Sequence, residues 1–428
     1  MIGNNNEPGV TSTVKSAPSV PSSGGSAGNP VIVGSADLET GEAQPASIEA
    51  VEESADAQRL FGKESRLTRN AIDALNQGAQ PVLCVAVPTT MATMELSELS
   101  AAYGQITEPA LESNEYTTVT VSGQEVDIEY TLRDPEGLDV PSGEVYINPS
   151  SGEFALSTSP STGTIEYMEL DYAAALQAVV EYTGDIDFVV PLKERDEVTT
   201  AAVGAVNQME TEENLALVLA GLPHPVDADG LEVGFDTSRL QLFGGVRQED
   251  FGSSLGALAG LRAELGLTST PINQQVPLRE RPEEGLDIAD RGILVDKNVV
   301  PLERIGNSVR VADDLTTVSI ENSDEQNYKY GFSRLAVDFL IETVHDLEEQ
   351  FIGSFNSPGT IAQLEDLLNE GARPLSQSNV IYSHEATVTM ISPTTARVTF
   401  RADVAEPIRF IDNDFIIGQD LSLESGNE

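Results

Sequence analysis

Lysine is nearly missing from this chain: it occurs only at Lys15, Lys63, Lys193, Lys297 and Lys329. Basic residues number 23 against 70 acidic ones, for a formal net charge of −47. That balance excludes nucleic acid as a partner, because phosphate binding needs a basic footprint. Tryptophan is absent and aromatics make up only 5%, so packing must come from small and aliphatic side chains. Cys84 is the single cysteine, which excludes an internal disulfide. It lies in the run Pro81–Val87, which reads as a buried strand. A nucleophilic thiol would need a neighbouring base, and the sequence supplies none, so Cys84 is expected to be a small core residue. No apolar run approaches the ~18–20 residues of a membrane span, which argues against direct membrane insertion. The segment Met1–Pro8 lacks the basic start and apolar centre of a signal peptide. The expectation is a soluble protein made in the cytoplasm.

Catalytic and metal motifs are missing too. The histidines, His224, His345 and His384, fall on distant elements, whereas a zinc site needs clustered ligands. No nucleophile elbow, P-loop or zincin helix occurs. The run Ser22–Gly28 is glycine-rich but follows no strand, as a phosphate cradle would. Asp227-Ala228-Asp229-Gly230 has part of a calcium loop without its further acidic ligands. The expectation is no catalytic residue, no cofactor and no metal.

What is present is acid interleaved with periodic apolar residues. The apolar share is 40%, too high for a disordered acidic tail. In dilute buffer a surface of this charge repels itself; at molar salt the screening length falls to roughly 3 Å. An acid-rich, lysine-poor composition therefore reads as a folded protein of a very salty environment.

Along the chain, residues 1–29 read as an extended arm rich in Ser, Gly and Pro. Residues 30–95 read as the first part of an α/β core: a strand at Pro30–Gly34, a helix over 57–75 and the strand at Cys84. Residues 96–172 alternate at period two between turn clusters, which predicts an inserted β-sandwich or barrel. Over 173–300 apolar strands alternate with helices, predicting a sheet covered on both faces. Residues 301–405 read as a C-terminal α+β domain, and 406–428 as a last strand and tail. Its long helix, 331–353, carries Phe332, Leu335, Ala336, Phe339, Leu340, Val344, Leu347 and Phe351 on one stripe. A shorter helix, 360–370, starts near Pro358 and is expected to stop at Gly371. Alternating strands follow at 385–391 and 396–404, and 408–417 is a final strand or strand pair.

Three stretches, in order, resemble the sheath proteins of contractile virus tails and related injection machines. The first is Glu7-Pro8-Gly9-Val10-Thr11 with Pro30–Ala36 and Ala57–Gly62. The second runs from Gly306 to Thr316, through Tyr328-Lys329-Tyr330, into the long helix. The third is the helix after Ser357-Pro358-Gly359 and the tail Glu406–Ile411. The extreme acidity and missing tryptophan depart from the family, and the acidity suits a virus of a halophilic archaeon. The resemblance implies α/β plus β: a subtilisin-like α/β core without a protease site, an inserted small β domain and a C-terminal α+β domain with strand-exchanging arms. It implies a structural subunit of a tail, assembled in the host cytoplasm, that polymerises with its own copies around a tail tube and meets baseplate and terminator proteins. It points to Val10, Thr11, Thr13, Val14, Phe410, Ile411, Phe415, Ile416 and Ile417 as inter-subunit strand residues. It points to Glu365, Asp366 and Glu370 as tube-facing.

Overall fold

The computed structural model describes residues 28–96, 102–106, 117–131, 135–148, 152–160, 162–211, 214–222, 228–244, 253–267, 269–277, 288–306, 308–319 and 328–406. The chain begins with β1 (Pro30–Gly34), β2 (Ile48–Val51), α1 (Ser54–Phe61), α2 (Arg66–Asn76) and β3 (Val82–Ala86). Every residue of β1 and β3 is buried, because helices cover both faces of their sheet. Side chains alternate between those faces: Ile32 and Cys84 enter one core, Val31, Val33, Leu83 and Val85 the other.

The expected single helix over 57–75 is two. Gly62, at φ +80°, ends α1, and an added Cβ there would lie 2.7 Å from that of Asp37. Ser65 then caps α2 by accepting from the Thr68 N–H at 3.1 Å. Two caps therefore interrupt one apolar periodicity.

An inserted lobe follows: β4 (Thr89–Glu95), β5 (Tyr103–Gln105), β6 (Thr118–Val121), β7 (Gln124–Glu125), β8 (Asp127–Tyr130), β9 (Glu144–Ile147), β10 (Glu153–Leu156) and β11 (Gly163–Leu170). These form two four-stranded sheets, β4-β11-β6-β7 and β5-β10-β9-β8. Leu96, Ile106, Val119, Val145, Phe154 and Ile165 fill a core of their own. Its strands start at Thr89, ahead of the expected 96, because β4 pairs along its whole length with β11. Arg195 links this lobe to the main core by donating to the Ile106 carbonyl at 3.1 Å.

The core resumes with α3 (Tyr172–Val180), β12 (Phe188–Pro191), α4 (Asp196–Thr211), β13 (Leu217–Gly221), β14 (Leu240–Gly244), α5 (Leu255–Leu265), β15 (Gln275–Pro277), α6 (Ile288–Asp296), β16 (Val300–Ile305) and β17 (Ser308–Val311). One nine-stranded sheet results, in the order β15-β17-β16-β14-β13-β12-β1-β3-β2. The pairs from β3 through β1, β12, β13 and β14 to β16 are all parallel. The sheet therefore runs past the boundary expected at 300, since β16 turns back into β17 as an antiparallel pair. α2 and α5 cover one face, α3 and α4 the other.

The chain ends, within the described residues, with α7 (Gly331–Glu349), α8 (Pro358–Gln377), β18 (Ile381–Ser392) and β19 (Thr395–Val404). α7 belongs to two bodies. Phe332, Leu335 and Ala336 sit in the main core, while Leu340, Val344 and Leu347 pack against α8 and the β18–β19 hairpin. α8 does not stop at Gly371 as expected; it continues through Pro374 to Gln377. Gly371 marks a close helix approach instead, since a Cβ there would stand 2.5 Å from Leu347 Cδ1. Burial of Ala372 and Leu375 against Leu340 and Ile381 outweighs the breaker residues.

Gly256 and Gly260 let α5 lie directly on α2: a Cβ at either would fall 2.3 Å from the carbonyl oxygen of Asn70 or Ala74. Gly260→Val is expected to lower stability by about 1–3 kcal/mol or more in urea denaturation. A variant as stable as the parent would contradict this packing.

Candidate assembly surface in the C-terminal lobe

The lobe's position is set by one buried carboxylate. Asp314 lies in the loop before α7, and its backbone carbonyl accepts from the Gly331 N–H at 2.9 Å. Its side chain accepts from the Phe332 N–H at 3.1 Å and from Gln241 Nε2 at 2.9 Å. Arg262, from the last turn of α5, pairs with the same carboxylate. Asp314 thus caps the first turn of α7 from outside the helix, at the end where the helix dipole favours an anion. Burial pushes its carboxyl up from the ordinary value, against the pull of Arg262 and the hydrogen bonds.

A second lock follows one turn on. Asp338 pairs with both Arg334 of α7 and Arg239 of the core, and Arg239 also pairs with Glu210 at 2.9 Å. The Arg334 guanidinium stands 4.5 Å over the Tyr328 ring. Burial opposes charge on Arg239, yet Asp338 and Glu210 hold its pKa above the ordinary value. Arg262→Met is expected to cost about 3–5 kcal/mol, because it strands Asp314 in the core. A smaller loss in urea denaturation would show that Gln241 and the helix end suffice.

Beside these locks is an acidic seam. Glu342 of α7 faces Asp338, Asp187 and Asp185, and accepts from the Leu215 backbone. Burial first, then those three carboxylates, pushes Glu342 up to about 8. Asp187 receives the N–H groups of Gly28 and Asn29 at 3.0 and 2.8 Å, and burial raises its pKa also. The folded chain keeps a proton on Glu342 that the unfolded chain releases near 4.5. Stability therefore falls as pH rises from that value to about 8, and levels above it. Glu342→Gln is expected to gain on the parent in melting temperature over this window and to match it at lower pH. An equal slope for both proteins would contradict the seam's role.

The hairpin is the lobe's outermost sheet. Among the described residues β18 pairs only with β19, and a lone two-stranded ribbon is marginal in water. α8 supports it on one side. Asn369 Oδ1 accepts from the Ala386 N–H at 3.0 Å, and Glu365 Oε2 from the Val388 N–H at 2.8 Å. His384 reaches the Asn369 carbonyl at 3.0 Å and stacks on Phe400. α8 therefore occupies backbone donors of β18, and among the described residues no helix side chain does the same for β19. The long edge open to another strand is that of β19.

The residues singled out from sequence separate accordingly. Val10, Thr11, Thr13, Val14, Phe410, Ile411, Phe415, Ile416 and Ile417 lie outside the described residues. Glu365 is engaged within the lobe, at Val388. Glu370 pairs with Arg373 at 2.9 Å on the surface, and Asp366 is exposed. The Asp314–Arg262–Gln241 lock escaped sequence reading; its one visible trace is a charged Arg262 inside an apolar helix.

Elsewhere, the places where chemistry is usual are filled. α/β sheets bind ligands at the strand ends where the order reverses, here between β1 and β12. There Arg66 and the buried Glu194 stand 3.6 Å apart. The loop with part of a calcium signature holds an ammonium: Lys297 Nζ donates to the carbonyls of Ala228, Asp229 and Leu231 at 2.7–3.1 Å. Among the described residues no acidic, His or Cys group is arranged to hold a metal. Cys84 is fully buried, and burial pushes its thiol pKa up.

A three-layer core, an inserted β-sandwich and a helix-borne terminal hairpin together make the fold of a contractile sheath subunit. The solved structures similar to the chain are of that kind. The helical sheath of the anti-feeding prophage, contracted, superposes with a TM-score of 0.59 at 13% identity, over 97% of this chain and 100% of that one. The contracted PVC sheath complex of an extracellular contractile injection system gives 0.60 at 10% identity, over 98% and 99%. The sheath tail protein of Desulfitobacterium hafniense gives 0.52 at 13%, over 93% and 100%. The likeness is one of fold, across nearly the whole length. No family model matches the sequence, and no curated protein matches it.

Proposed function

We infer that this protein is a structural subunit of a contractile sheath, without enzymatic activity. It polymerises helically around an inner tube and shortens to drive that tube through a target envelope. The observation that carries this is end-to-end correspondence of fold with sheath subunits of two injection particles. Parallel strand order with a β lobe inserted after β3 supports the finer reading of a subtilisin-like core. The particle is a virus tail or a virus-derived injection machine, partnered by tube, baseplate and terminator proteins. Capsid and terminase genes beside its own would mark the virus. The charge of −47 supports assembly at high salt, where like-charged subunits can approach, and a halophilic archaeal host.

Assembly proceeds by strand addition. An extended segment from a neighbouring copy joins the free edge of β19 and gains main-chain hydrogen bonds. Segments 10–14 and 410–417 supply the strands. A subunit so linked can rotate without letting go, because the link is made by a single strand and the lobe is rigid on α7. Contraction then needs no nucleotide: it passes from a metastable lattice to one burying more surface.

Deletion of residues 1–20 is expected to abolish tubes in negative-stain microscopy at high salt while the monomer melts like the full chain. Normal tubes from the truncated protein would overturn the strand-addition mechanism. No tubes from the full chain at any salt would overturn the sheath reading itself.

A further inference from the structure

Residues 28–29 lead into β1, and a single carboxylate holds them. Asp187, on the segment before β12, accepts both of their N–H groups on one oxygen, Oδ2, at 3.0 and 2.8 Å. Its own N–H donates back to the Asn29 carbonyl at 3.1 Å, and its carbonyl accepts from the Leu217 N–H at 2.9 Å. Side chain and backbone of one residue thus tie the root of the N-terminal arm to β12 and β13.

The same carboxylate faces the lobe's helix. Glu342 of α7 lies against Asp338, Asp187 and Asp185, and accepts from the Leu215 backbone. Two guanidinium groups are near, from Arg334 on α7 and Arg239 ahead of β14, but both pair with Asp338. Glu210, at the end of α4, also pairs with Arg239. His345 and Asp346 follow on the next turn of α7. Among the described residues no base pulls on Glu342 or Asp187. Two facing carboxylates without a cation favour one ionised and one protonated. Asp187 is the ionised one, because two N–H groups donate to it. The proton stays on Glu342, by burial first and the three acids next, up to about pH 8.

We propose that Asp187 and Glu342 make a proton-held joint between the arm root and α7, and that loss of the proton releases the arm root. With both carboxylates charged the contact is repulsive. The part that yields is residues 28–29, held to the Asp187 side chain by two hydrogen bonds. The joint's use in assembly rests on the strand-addition reading, in which the arm is the end a copy gives and β19, borne on α7, is the end it receives. Giving and receiving ends of one subunit are then tied at a single point, and alkaline pH unties them.

The closed joint keeps its proton to about pH 8, and an open Glu342 releases it near 4.5. Closure therefore weakens as pH rises between these values, by up to about tenfold per pH unit, and no further above them. The test is hydrogen–deuterium exchange, read by mass spectrometry on the full unassembled chain at one high salt concentration, from about pH 5.5 to about pH 9. In the parent, protection of the residue 28–29 amides, corrected for the intrinsic rate, should fall with pH and level near 8. In Glu342→Gln, which mimics the protonated form, protection should match the parent at low pH and stay level throughout. Asp346→Asn, exposed on the next turn, should follow the parent.

Parent protection that does not change with pH would overturn the proposal, because Glu342 would then turn to solvent alone. So would equal slopes in the parent and Glu342→Gln. Should Glu342→Gln not fold, the parent's protonated-carboxyl infrared band decides: it should fade toward pH 8 in step with protection, and a band gone by about pH 6 sinks the joint. In negative stain, tubes should become fewer above about pH 8 for the parent and not for Glu342→Gln; equal yields would overturn the use in assembly. A parent without tubes at every pH would sink the sheath reading instead, while exchange in the unassembled chain still decides on the joint.

Discussion

The carboxylate of Asp314 decides where the C-terminal lobe sits. It accepts from the Phe332 N–H in the first turn of α7 and is held by Arg262 and Gln241 of the core. α7 then carries α8 and the hairpin on its second half. Lever and fulcrum are one helix, so force on the lobe reaches the core in part through this buried cap. The Asp338 pair with Arg239 and Arg334 adds a second point of attachment, which fixes rotation about the helix axis as well as its origin.

Several of the few basic residues are used inside. Arg195, Arg239, Arg262, Arg334 and Lys193 are buried, and Lys297 fills a ring of carbonyls. The four arginines each meet an acid or a carbonyl that burial would otherwise leave unsatisfied. The outer surface is left to carboxylates, which salt screens. This division separates two uses of charge: buried arginines determine geometry, and exposed acids maintain solubility.

Much of the fold was legible because burial leaves a period. The apolar runs at Val31 and Cys84 mark strands covered on both faces, and the stripe from Phe332 to Phe351 marks α7. The alternation in 118–170 marks the sandwich. Two misread points concern glycines, which local pattern alone does not sort into stops and close crossings. At Gly62 a real stop was missed within a continuous apolar pattern. At Gly371 an apparent stop was only a close crossing with Leu347. Local propensity costs about 1 kcal/mol for such a residue, and packing of Ala372 and Leu375 exceeds it.

The candidate site divides along the same line. Sequence pointed to the C-terminal lobe and to three acids on α8, through order of motifs and amphipathic spacing. It did not show that Glu365 is taken by the Val388 N–H, nor that β19 has the open edge, because both depend on where α8 lies against the hairpin.

The sequence by itself determined the element types, the inserted lobe, the exclusion of disulfide chemistry and the surface charge, since these follow from composition and local period. Only the tertiary structure decided which charges meet in the interior and which strand edge is free. Those are contacts between residues far apart in sequence, and no local pattern encodes their distance.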